Sequence, residues 1–175
     1  RLGASAKRIT NKDRVYKLIE GSPDGITLNE ITNEFHCHSV TLVSQQAYSL
    51  IAEGKVWKIS NRLLSTIKNF KATLEDEDRK TLGQIKETLK KLLNEAESEN
   101  ALLDTSLLAQ RFNREQSTTF HKALFTSFVS SHPGLHKSRT LISRTPFNYG
   151  SLLDVFNSHC NSNMSQGDAI KLVSQ

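Results

Sequence analysis

The chain has 175 residues, with 23 Lys/Arg against 18 Asp/Glu for a net charge of +5, and 37% of its residues are hydrophobic. That balance suits one ordinary globular domain or two small ones and excludes a disordered tail. No apolar run approaches the ~18 residues of a membrane span, and the opening RLGASAKRIT lacks the apolar core of a signal peptide.

The chain starts at Arg1 rather than Met, as expected of a fragment of a longer protein. Residues 1–11 read as a basic arm. In KDRVYKLIEG, Val15, Leu18 and Ile19 recur at helical spacing, with Thr10 or Asn11 as N-cap and Gly21 as terminator. SPDG is a turn, after which Thr27 and Glu30 have the spacing of a capping box. The second helix turns Leu28, Ile31 and Phe35 inward. HCHS connects it to a third, capped by Ser39, with Val40, Val43, Ala47, Leu50 and Ile51 on one face. Gly54 ends that helix. KVWKI and RLLSTI follow as strands joined by a two-residue Ser60-Asn61 loop, which places Trp57 opposite Leu64 and Lys58 opposite Leu63.

This order, and the run YSLIAEGKVWKI with its Leu50-Ile51, Gly54, Lys55 and Val56, resembles the winged-helix superfamily over residues 12–67. The resemblance implies a trihelical helix-turn-helix closed by a hairpin wing, set in a domain spanning 12–70.

From Leu74 to Asn100 the sequence predicts one long helix, with Leu82, Ile85, Leu89, Leu92 and Ala96 forming an apolar seam. The seam runs about two and a half heptads, short of a coiled coil, so packing within its own domain is favoured over a dimer seam. Asp104 can cap TSLLAQRF. Ser117 can cap a helix carrying Phe120, Leu124 and Phe128, which Pro133-Gly134 stops before a strand-like SRTLISRT. Residues 71–146 thus read as the long helix plus a second helix-turn-helix or divergent winged-helix module, and 147–175 as a C-terminal helical extension with its helix in YGSLLDVFNSHC. The expected fold class is mainly α with short β-hairpins, tandem winged-helix modules joined by a long helix.

Charge is unevenly spread. Residues 1–70 hold ten Lys/Arg against six Asp/Glu, 71–100 six against eight, and 101–175 seven against four. Two basic modules flanking an acidic connector, with a pI near 9.3, point to a polyanionic partner. If the third helix enters a major groove, Thr41, Ser44, Gln45, Tyr48 and Ser49 face the bases; Gln pairs with adenine and Ser or Thr with several edges. No arginine stands on that face, so phosphate contacts carry the affinity and sequence selectivity is limited. Their candidates are Lys7, Arg8, Lys12 and Arg14 at the N-terminal end, with Lys55, Lys58 and Arg62 on the hairpin. Trp57 reads as core beneath that hairpin. A second basic set comprises Arg111 and Arg114 in a proposed turn, Lys122, and Lys137, Arg139 and Arg144 near a proposed second wing.

The expected partner is double-stranded DNA, in gene regulation or on the chromosome. The resemblance also leaves open a protein-interaction scaffold, anchored by Tyr48, Phe125 and Val129, and structured-RNA binding of the kind tandem winged helices perform in some translation factors. His36, Cys37 and His38, with His159 and Cys160, lack the reinforcing spacing of a zinc site, so no metal or other cofactor is expected. No phosphate loop, G-x-S-x-G or H-E-x-x-H occurs, and no enzyme activity is expected. Cys37 and Cys160 match no disulfide framework. Reduced thiols imply an intracellular protein: nuclear in a eukaryote, cytoplasmic or nucleoid-bound in a bacterium.

Overall fold

The computed structural model describes residues 10–35, 40–99 and 101–147. The chain divides into two compact units between Glu75 and Asp76. Both are mainly helical, each with a small antiparallel sheet of three strands.

In the first unit α1 (Asn11–Glu20) starts at Thr10, whose hydroxyl accepts from the Asp13 N–H while the Asp13 carboxylate takes the Thr10 N–H. The short strand β1 (Ile26–Thr27) leads directly into α2 (Leu28–Glu34), capped by the expected Thr27–Glu30 box. α3 (Val40–Ala52) ends in a Schellman closure. Gly54 sits at φ 70°, its N–H bonds the Ile51 carbonyl, and the Lys55 N–H bonds that of Leu50. The strands β2 (Val56–Lys58) and β3 (Leu63–Thr66) follow, with β3 central between β1 and β2. Val15, Ile19, Ile31, Val43, Leu50, Val56 and Leu64 form one buried core from all three helices and the sheet.

The hairpin register is one residue away from the sequence expectation. Trp57 pairs with Ser65 and Lys58 with Leu64, because the loop has three residues, Ser60–Arg62. The Ile59 N–H closes on the Leu63 carbonyl, and the Ser60 hydroxyl takes the Leu63 N–H at 3.2 Å. In a strand such a slip exchanges faces. Val56 and Leu64 therefore share the core side, while Trp57 is buried on the other. Val40, expected inside, is 52% exposed at the start of α3.

Gly25 shows how tightly β1 is seated. It has φ +90°, and a Cβ there would stand 2.8 Å from Leu63 Cγ and 2.9 Å from the Leu64 carbonyl oxygen. Gly25→Ala is expected to destabilise the protein by about 1–3 kcal/mol, from the strained φ and the backbone clash together. Urea unfolding measures it, and an unchanged midpoint would show that the turn relaxes freely.

A helix missed in the sequence, α4 (Ile67–Thr73), follows β3 and is capped by Thr66. Its Asn69 amide donates to the carbonyls of Glu20 and Ser22, tying it to the end of α1.

The second unit opens with the segment expected as one long helix. It is two: α5 (Asp76–Leu82) and α6 (Ile85–Ser98), broken at Gly83-Gln84, where three-residue hydrogen bonds replace the helical pattern. Glycine's low helix propensity marks the break. Leu82, Ile85, Leu89 and Leu92 are buried, and α6 packs on β4 (Leu103–Asp104) and α7 (Thr105–Gln116) of its own unit. Asp104 caps α7 as expected, accepting the Leu107 N–H. Ser117 does not cap the next helix; it terminates α7 in the left-handed conformation. The side chain of Asn113 holds the turn, accepting from the Phe120 N–H and the Thr118 hydroxyl and donating to the Phe120 carbonyl. α8 (Lys122–Ser131) begins after His121, whose Nδ1 accepts the Ala123 N–H. Phe120 thus lies outside the helix, stacked on Phe112. The expected single strand is a hairpin of β5 (His136–Ser138) and β6 (Leu141–Ser143), turning at Arg139-Thr140.

The same order runs twice: helix, strand, two helices, hairpin. In both units the last strand is central, β1-β3-β2 and β4-β6-β5. The C-terminal helix expected beyond Phe147 lies outside the described residues.

Candidate nucleic-acid interface

α3 carries no charged residue, and its core face leaves a continuous polar stripe on the opposite side. Thr41, Gln45 and Tyr48 are exposed and Ser44 is half-buried between them. Ser49, on the flank, donates to Glu53 Oε1 at 3.2 Å. The face expected from periodicity is therefore the face the fold presents.

The flanking cations are distributed differently from the expected basic ridge. The Schellman closure brings Glu53 and Lys55 to the same end of α3, and their side chains pair at 3.0 Å. The start of α1 lies against that end, so Lys12 pairs with the same carboxylate. With Lys12 first, then Lys55 and Ser49 bonded to it, the Glu53 carboxyl is held down to about 2. Lys55 is pushed up in return by Glu53. A folded pKa below the unfolded one means these pairs contribute in full above the ordinary 4.5 and are lost as pH falls toward about 2. A carboxyl NMR titration of Glu53 is expected to show a midpoint near that lower value; an ordinary midpoint would mean the lysines are free in solution.

Arg14 lies over the Phe35 ring, 4.4 Å from its centroid. Lys58, opposite Leu64 on the core side of the hairpin, is half-buried and engaged within the molecule. Arg62 is exposed in the hairpin loop and makes no ion pair among the described residues. Lys7 and Arg8 lie outside the described residues, as do His36, Cys37, His38, His159 and Cys160. Among the described residues of the first unit, eight Lys/Arg stand against seven Asp/Glu, so the unit's basic excess is concentrated in the arm before Thr10.

In the second unit Arg111 and Arg114 lie within α7, not in a turn. Arg111 binds Glu95 at 2.7 Å and Glu115 at 3.1 Å, clamping α7 to α6. Arg144 donates to Glu97 and to the Asn94 amide oxygen, holding the end of the hairpin on α6. These two arginines serve the fold. Arg114 and Lys122 are exposed and form no ion pair among the described residues. Lys137, on β5, donates to the Ser130 hydroxyl at 3.1 Å, and partial burial of its ammonium lowers its pKa. Arg139 is exposed at the hairpin turn, in the left-handed conformation.

Phe125 and Val129, named as partner anchors, are 0% and 1% exposed and belong to the core. Tyr48, at 56%, is the one of the three that is available. Sequence reasoning missed Glu53 as a site residue, although its place between Ser49 and Lys55 at a helix C-terminus was legible. No described helix is long and apolar enough to cross a membrane. Comparison of this chain with protein-family models, with curated proteins and with solved structures finds no match.

Proposed function

We propose that the chain is a tandem winged-helix module that binds duplex DNA through the exposed face of α3, with few phosphate contacts and limited sequence selectivity. The repeated element order and the matching strand order in the two units support the winged-helix reading. The observation that carries the DNA reading is the α3 stripe itself. Thr41, Ser44, Gln45 and Tyr48 bring hydrogen-bonding groups to one face of α3, with Thr41, Gln45 and Tyr48 exposed. Arg62 on the hairpin loop is exposed and supplies a phosphate contact, and Lys7 and Arg8 of the basic arm are the further phosphate candidates. In the second unit Lys122 starts the helix that corresponds to α3.

Titration with duplex DNA across several salt concentrations tests the proposal. Affinity is expected to fall with salt, by roughly 0.9 in log-log slope for each phosphate engaged. No binding at low salt would overturn it. Because Lys12 and Lys55 share Glu53, Glu53→Gln is expected to free both ammonium groups, tighten binding and steepen the slope by roughly 1–2. An unchanged slope would place those lysines off the DNA path.

A second reading assigns the same face to a protein partner. Among the described residues Val40, Tyr48 and Leu107 are the exposed large hydrophobics, and two of them stand on α3. On that reading duplex binding is absent while α3 variants disrupt an assembly.

A further inference from the structure

The second unit contains an open pocket of about 260 Å³ between α6 and the 132–135 loop that ends α8. Its origin is local. Pro133 stops α8, and Gly134 at φ +79° carries the chain away, with open space where a Cβ would stand. On α6 the residues Lys86, Leu89, Lys90 and Leu93 fall at helical spacing and form one wall. Leu89 and Leu93 are buried and, with Leu135, give an apolar floor; Lys86 and Lys90 stand exposed at the mouth, and Arg144 closes one side.

The charge of this lining is one-sided. No carboxylate lines the pocket. Arg144 is already spoken for by Glu97 and Asn94, whereas Lys86 and Lys90 make no ion pair among the described residues. An apolar floor under two unneutralised ammonium groups selects a ligand with an apolar body and a single anionic end, and the volume is slightly below that of drug-sized pockets. From this juxtaposition we infer that the pocket binds a small amphipathic anion, a carboxylate or sulfonate on a body of one or two rings, with its charge between Lys86 and Lys90. The inference does not rest on the proposed DNA binding.

The probe is 1-anilinonaphthalene-8-sulfonate, used with the full chain and followed by fluorescence. Saturable binding to the folded protein is expected, with displacement by 3-phenylpropionate and none by 3-phenylpropan-1-ol at equal concentration. Lys86→Glu with Lys90→Glu is expected to weaken binding at least about tenfold. Lys80→Glu with Lys91→Glu, the same charge change on exposed positions outside the pocket, is expected to leave it unchanged. Amide shifts in labelled wild-type protein should centre on Leu89, Leu93, Gly134 and Leu135, which keeps the test valid even if the double variant folds poorly. Equal displacement by the alcohol, equal loss in both double variants, or shifts centred elsewhere would each overturn the inference. Loss of duplex binding with retained probe binding in the Lys86/Lys90 variant would assign those lysines to phosphates and overturn it too.

Discussion

Phe112→Ala is expected to lower the stability of the second unit by about 3–5 kcal/mol, the range for emptying a buried aromatic site. Phe112 is fully buried and sits between two other rings, edge-on to Phe125 at 5.3 Å and stacked with Phe120 at 6.3 Å. Its removal takes away the transfer energy of the ring and both aromatic contacts, the latter worth about 0.5–1.5 kcal/mol per pair. It also takes from Phe120, which the Asn113 turn fixes outside α8, the Phe112 ring it stacks on. Since small domains hold roughly 5–15 kcal/mol in all, this one change approaches the stability of the unit. Urea unfolding followed by the methyl signals of Leu108, Leu124 and Ile142 reads it directly. Phe112→Leu is expected to recover part of the loss. A decrease under about 1 kcal/mol would mean that the cluster is not the centre of this core.

Thr41→Glu with Gln45→Glu is expected to weaken duplex binding roughly a hundredfold or more while leaving the fold intact. Each position gives up a base contact worth about 1–3 kcal/mol and sets a carboxylate against the phosphates. Both side chains are exposed, and a glutamate in the first turn of α3 is favoured by the helix dipole, so folding is not opposed. Asn33→Glu with Gln84→Glu adds the same charge at exposed positions elsewhere and separates net charge from local contact. Equal weakening in both pairs would reduce α3 to a bystander. Retained affinity in the α3 pair would exclude that helix from the interface.

Most of the helices were legible because their signals are local. Thr27 and Glu30, Asp104 and its following apolar run, and Gly54 after Ile51 each encode an end within a few residues. The exposed stripe of α3 was legible for the same reason: the buried Val43, Ala47, Leu50 and Ile51 fix the opposite face. What stayed hidden depends on a second contact. β1 and β4 have two residues each, too few for any periodicity, and exist through their partners Leu63-Leu64 and Leu141-Ile142. The hairpin register turned on whether Ser60 accepts the Leu63 N–H, which composition does not encode. The basic ridge failed as a ridge because residues 41 positions apart, Lys12 and Glu53, meet across α1 and α3. Charge counted along a chain says nothing about such neighbours.

Thr27 and Asp104 each belong to two elements at once, ending a strand and capping the helix that follows. With no spacer between them, pairing to the sheet and the first turn of the helix depend on one set of backbone angles. Neither can fray alone. Each unit therefore has a latch at its seam, so that opening of the sheet edge and unwinding of the adjoining helix are one cooperative event rather than two.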